Sequence, residues 1–311
     1  MKNAQSRTGL YVLAFVAVAL IAIALATADY ASLGRGFLSN DKNASCVGII
    51  TLDGEITLEH AAFYDSAAQP QELERQLRAA DENDDVGSVL LVINSPGGGA
   101  VASQEAFTAV RTAKKPIVAY LGEVAASGGY YVASAADRVV ANPNTLTGSI
   151  GARATLLNYA GLLEKLGISM ESIQHGDVKD MGAPYRNITT EERAILEAII
   201  NESGENFAND VRAARKGRLN EKLFEAQALD ARVLSATQAQ KIGLVDDVAT
   251  RSDALRIAAA MGNVSYDGTP ALCVLQEPPS GILALFSQLS TGFAQSLASE
   301  LRPTGARLSY G

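Results

Sequence analysis

Val86-Gly-Ser-Val-Leu-Leu-Val-Ile-Asn-Ser-Pro-Gly-Gly-Gly99 is the stretch that decides the fold. Its first nine residues are mostly apolar and do not alternate, the pattern of a strand buried on both faces of a parallel sheet. The run stops at Ser95-Pro-Gly-Gly-Gly99, and a helical pattern takes over from Ala100 to about Lys114. Strand, glycine-rich turn and helix in succession predict an α/β architecture with function carried on the turns at the strand ends.

The unit repeats directly downstream. Pro116 to Leu121 reads as a second buried strand, followed by Val124-Ala-Ala-Ser-Gly-Gly-Tyr-Tyr131, a helix over Tyr130 to Ala136 and a third short strand over Asp137 to Ala141. Ser127 therefore sits at a strand-to-helix turn among residues small enough to let a substrate carbonyl approach, where free N–H groups favour developing negative charge. A small-residue turn that only packs a helix onto a sheet would look the same.

Upstream, Cys46 to Ile56 reads as a strand broken by an Asp-Gly turn, and Leu73 and Leu77 mark a helix over Gln71 to Ala80. Downstream, an amphipathic helix is expected over Leu156 to Gly167, a strand over Ile168 to Gln174 and a loop over His175 to Asn187. A long helix then starts at Ile188-Thr-Thr-Glu-Glu-Arg193 with a threonine N-cap and runs to about Arg215. Arg212, Arg215, Lys216 and Arg218 gather at its end, where cations suit the helix dipole.

Gly9 to Ala28 is an uncharged run preceded by Lys2 and Arg7. Twenty helical residues cover roughly 30 Å, a bilayer core, so 1–28 is expected to be a cytoplasmic tail and transmembrane anchor, with the rest of the chain outside the cytoplasm. A cleaved signal peptide ending at Ala26-Thr-Ala28 is the competing reading. Residues 29–45 read as a tether and 46–250 as the main domain; 251–311 read as a C-terminal helical extension. In that extension Ile282, Leu285, Phe286, Leu289, Phe293, Leu297 and Leu301 share one helical face, expected to pack on the domain or between subunits.

The chain has 311 residues and a formal net charge of −8, which argues against nucleic acid as a partner. Its two cysteines, Cys46 and Cys273, match no metal or CxxC spacing; they either pair or remain buried thiols. With His60 and His175 the only histidines, neither a metal site nor a cofactor is expected.

A serine nucleophile needs a base. Neither histidine has an orienting partner in sequence, so a lysine is the alternative, and Lys179 in Gly176-Asp-Val-Lys-Asp-Met-Gly-Ala-Pro-Tyr-Arg186 is the candidate. Holding a lysine neutral at pH 7 costs roughly 4–5 kcal/mol and requires an apolar setting away from Asp177 and Asp180. A solvated loop lysine is the rival. The N–H groups of Gly97 or Gly98, with that of Gly128, are candidates for an oxyanion hole; no GxxxxGK[ST] phosphate loop is present.

Taken together, INSPGGG at 93–99, VAASGGYY at 124–131, TGSIG at 147–151 and GDVKDMGAPYR at 176–186 resemble the short, single-domain members of the signal peptide peptidase A family, the S49 Ser–Lys proteases. The resemblance covers roughly residues 47–250; Ala236 stands where that family usually has glycine. It implies a crotonase-like (Clp-like) α/β fold and a membrane-anchored serine endopeptidase, with Ser127 as nucleophile, Lys179 as general base and Ser149 orienting the lysine. It also implies a homo-oligomeric ring in which Lys179 serves the Ser127 of a neighbouring protomer. The expected substrates are cleaved signal peptides and other hydrophobic peptides. Two alternatives stand beside it, a crotonase-type acyl-CoA hydratase or thioesterase and an inactive membrane-anchored scaffold.

Overall fold

The uninterrupted apolar run does form a strand covered on both sides. In the computed structural model, which describes residues 46–58 and 67–275, β4 (Val86–Ser95) lies between β1 (Cys46–Asp53) and β5 (Ile117–Ala126) in a parallel sheet of order β10-β1-β4-β5-β6-β9. Here β6 is Arg138–Ala141, β9 Asp247–Val248 and β10 Leu272–Val274, while β2 (Glu55–Ile56) and β3 (Ala67–Ala68) pair in a separate two-stranded sheet. Alternate side chains go to opposite cores. Val89, Leu91 and Ile93 face the larger one, with α1 (Pro70–Glu82), α2 (Ala100–Thr112) and α3 (Gly128–Ser134); Leu90 joins Val47, Val118, Tyr120 and Val140 beneath α8 (Arg251–Met261). Both faces are dry, so no polar residue is needed at every second position.

Residues 1–45, 59–66 and 276–311 lie outside the described residues, and with them the anchor and tether assignments, His60 and the apolar stripe from Ile282. Residues 251–275, read above as the start of an extension, supply α8 to the smaller core and β10 to the sheet edge. Cys46 and Cys273 form a disulfide across that edge, with Cα atoms 5.7 Å apart and a sequence separation of 227. Closing so long a loop is worth about 2–5 kcal/mol. Cys273→Ser should lower the urea midpoint by a corresponding amount without loss of helical signal; an unchanged midpoint would show that the bond contributes nothing.

β5 runs five residues past the expected Leu121. Its register against β4 shifts between Ile93 and Ser95, where Asn94 Oδ1 accepts the Val124 N–H at 3.2 Å. The strand thereby changes neighbours, pairing β6 through Val118–Leu121 and then β7 (Leu146–Gly148) through Val124–Ala126. β8 (Val233–Ser235) pairs antiparallel to β7. The strand then ends at Ala126 and places Ser127 as the N-cap of α3.

Two expectations fail in the segment after Gly151. Instead of a helix over 156–167, only α4 (Ala160–Lys165) forms, with none of its residues buried. Instead of a strand, residues 168–174 are irregular, and Ile173 is 96% exposed. An amphipathic helix needs a core to cover and a strand needs a ladder partner. Within this chain no described element offers either.

Thr189 caps α5 (Thr190–Ala214), accepting the Glu192 N–H at 3.1 Å, while the Glu192 carboxylate accepts the Thr189 N–H at 2.9 Å. Ala236 is the first residue of α7 (Ala236–Ile242), fully buried behind a Ser235 capping box, so the turn accommodates alanine without strain. α6 (Glu221–Gln227) completes the described helices.

Candidate active site

The small residues around Ser127 follow from how closely two turns pack. Gly97 has φ +100°, and a Cβ there would stand 2.6 Å from the Gly128 nitrogen and 2.9 Å from Ser127 Cβ. On Gly98 a Cβ would collide with the Ile56 carbonyl, and on Gly128 with Ser103 Oγ. The SPGGG turn and the serine turn are thus pressed backbone to backbone.

Ser127 itself has φ 51° and ψ −124°, a conformation that side chains rarely adopt. It is held by its own N–H, which donates to Gly148 O at 2.8 Å, and by its carbonyl, which accepts the Tyr131 N–H at 2.9 Å. The hydroxyl makes no hydrogen bond among the described residues. One residue past Gly148, Ser149 is also left-handed (φ 54°), and its N–H donates to Arg232 O at 2.9 Å. The carbonyl that holds Ser127 and the residue that presents Ser149 are consecutive, so the two hydroxyls share one wall.

The N–H groups separate the oxyanion candidates. Gly97 N–H donates to Ser95 Oγ at 3.1 Å and Gly99 N–H to Ile56 O at 2.9 Å. Gly98 and Gly128 N–H have no acceptor among the described residues, and both residues line the same cleft as Ser127. Two unsatisfied donors flanking a strained serine are suited to bind a developing oxyanion.

The cleft has a volume of about 1030 Å³ and includes Ser127, Ser149, Gly98 and Gly128. Its opposite wall is α5, through Ile199, Glu202, Ser203, Asn206 and Phe207. The floor is aromatic. Tyr131 stacks on Phe207 with centroids 4.4 Å apart and lies 4.7 Å from Phe107. Burial, and then the Asp210 carboxylate to which its hydroxyl donates, push the Tyr131 phenol well above its usual range, so it stays protonated and is no base at neutral pH. The sequence reading missed the α5 wall. Ile199, Ser203 and Asn206 recur at helical spacing, but in a helix this polar such a face cannot be told from an exposed one.

Lys179 is not in this cleft. It lies exposed on the succession of turns from Gly176 to Arg186, forms no ion pair among the described residues, and its N–H donates to Gly176 O at 3.3 Å. His175 is exposed on the same segment. The folded chain brings Ser127, Ser149, Gly98 and Gly128 together, with Gly97 behind them, and leaves Lys179 apart. Among the described residues no cluster of His, Cys, Asp or Glu is placed to hold a metal ion.

Residues 109–265 match the sequence model of peptidase family S49, and residues 46–148 that of Clp protease. A candidate protease of Methanocaldococcus jannaschii is 41% identical over 187 residues, 60% of this chain and 59% of that one. A candidate signal peptide peptidase SppA of Enterococcus faecium is 36% identical over 67% of this chain and 59% of its own length. The chloroplastic serine protease SPPA of Arabidopsis thaliana is 31% identical over 73% of this chain and 33% of its own. The matched region thus spans about three fifths, or less, of each of these relatives. Among solved structures, a mutant of a membrane-bound stomatin-specific protease aligns over 76% of this chain and 99% of its own at 19% identity, with a TM-score of 0.47.

Proposed function

This chain belongs to peptidase family S49, and from that premise we propose that it is a serine endopeptidase in which Ser127 attacks the scissile carbonyl and Lys179 of a neighbouring protomer is the general base. The carrying observation is Ser127 itself, strained, its hydroxyl without a hydrogen-bond partner among the described residues, and flanked by the free N–H groups of Gly98 and Gly128. A neutral Lys179 amine takes the Ser127 proton as Oγ bonds to the carbonyl carbon. The two N–H groups hold the oxyanion, the lysine returns the proton to the departing amine, and water clears the ester. Ser149 orients the amine.

Delivery of Lys179 from a neighbour accounts for two features at once: its absence from its own chain's cleft, and an exposed apolar arm, with Leu157, Ile168, Met170 and Ile173, that the described residues leave uncovered. The substrates are extended apolar peptides, including cleaved signal peptides, since Val101, Val124, Ile199, Phe207 and Val233 line the cleft. The 9–28 run would hold the protease at the membrane with its cleft outside the cytoplasm.

Mixing tests the arrangement. Ser127→Ala and Lys179→Ala proteins, each inactive alone, should together regain roughly a quarter of wild-type activity after subunit exchange, as random pairing of neighbours requires. No recovery from exchanged, assembled mixtures would place the dyad within one chain or deny it.

A further inference from the structure

One side chain, Arg186, ties the turns carrying Lys179 to the helix that walls the cleft. Arg186 grips Asp180, the residue after Lys179, with Nε to Oδ2 at 3.0 Å and Nη2 to Oδ1 at 2.7 Å. The same guanidinium donates to Glu192 Oε2 through Nη1 at 2.9 Å and to Oε1 through Nη2. Glu192 is 2% exposed and is the capping-box acid of α5, the helix that walls the cleft. One planar group thus spans from the neighbour of Lys179 to the first turn of that wall.

Its second consequence is electrostatic. Lys179 lies between Asp177 and Asp180, and a carboxylate beside an amine favours the ammonium. Asp180 is nevertheless engaged elsewhere, with Arg186 on both oxygens and the Tyr185 hydroxyl on Oδ2 at 3.2 Å. The Arg186 hydrogen bonds, foremost, hold the Asp180 carboxyl well below the usual range. The other charged or titratable groups around these turns are His175, Asp177 and Tyr185 on the segment itself, and Glu191, Glu192 and Arg193 at the start of α5.

We propose that Arg186 is a positioning residue for Lys179, neutralising Asp180, the next residue in sequence, and fixing the lysine-bearing turns to the N-terminus of α5. The proposal rests on Lys179 being the general base. Lysine could not replace this arginine, because its single ammonium cannot grip two carboxylates in a plane.

The test is the pH dependence of kcat for peptide hydrolysis by the full chain, with Arg186→Ala, Asp180→Asn and the double variant. Freeing Asp180 raises the lysine pKa, so the limb along which activity rises with pH moves upward. Arg186→Ala should shift it by about one pH unit, lowering activity roughly tenfold near neutrality and less at alkaline pH. Adding Asp180→Asn should return the limb to its wild-type position, and Asp180→Asn alone should leave it there. If Arg186→Ala fails to assemble, Arg186→Lys should move the limb in the same direction. A loss of equal size at every pH, unrelieved in the double variant, would reduce Arg186 to a structural role and overturn the proposal; so would a wild-type profile. A Lys179→Ala enzyme that stays active removes the base instead, and is read separately.

Discussion

Ser127→Ala should lower kcat for peptide hydrolysis by at least about 10⁴-fold and leave the fold intact. The size follows from what remains. Removing the nucleophile spares the cleft and the free N–H groups of Gly98 and Gly128, and such remnants alone keep about 10³–10⁴-fold catalysis over water in enzymes of this type. Stability should scarcely change, because alanine has the same Cβ at φ 51° and the hydroxyl makes no bond to lose. Lys179→Ala should cost about as much, and the double variant little more than either alone, since nucleophile and base act as one unit. The assay is steady-state cleavage of an apolar peptide, with sedimentation to show that the variants assemble. Residual activity within tenfold of wild type in Ser127→Ala would remove serine from the mechanism; additive losses would mean that the two residues act in separate steps.

How far the sequence discloses this site depends on whether a residue's partners are local. The β4 run is legible because both of its faces are dry, and the Thr189 cap because its partner, Glu192, is three residues away. The serine turn is legible as a junction of two periodicities. Its strain is not, because φ 51° at Ser127 is imposed by Gly148 O, twenty-one residues downstream in sequence. The short strands β7 and β8 escape for the same reason, β7 being defined by pairing with β5 22 residues away and β8 by pairing with β7 across 85 or more residues. Residues 156–174 mislead in the opposite direction. Their apolar spacing is genuine, but a pattern names only the face that wants cover, and the described residues supply none. The same gap separates Lys179 from Ser127. Sequence brings both forward as candidates, whereas on the proposed reading their meeting needs a second chain.

Arg215 shows how a plausible local reading can hide a distant partner. Beside Arg212, Lys216 and Arg218 it looks like a cation placed for the end of α5, yet its side chain is fully buried. Nη1 and Nη2 donate to the Asp246 carboxylate at 2.9 and 2.8 Å, and Nε and Nη2 to Gly243 O at 3.2 and 2.9 Å. Asp246 also accepts the Val139 N–H of β6 at 2.7 Å, so one ion pair joins the end of α5, the turn after α7 and the sheet. Arg215→Ala should destabilise the chain by about 3–5 kcal/mol, because a fully buried guanidinium is removed and the partly buried Asp246 keeps only Arg218, 3.6 Å away, as a cationic partner. Arg215→Met combined with Asp246→Leu should cost less than Arg215→Ala alone, since no charge is then stranded. Burial, the largest influence, pushes the Asp246 carboxyl up, but the Arg215 hydrogen bonds and charge, with the Val139 N–H and the Arg218 charge, together hold it below the usual range. The pair's contribution is therefore complete above the unfolded carboxyl pKa of about 4 and is lost as the pH falls through the depressed folded value. Urea midpoints measured at pH 7 and at descending pH should converge between wild type and Arg215→Ala in acid; a gap that stays constant would mean that the loss is one of packing and not of charge.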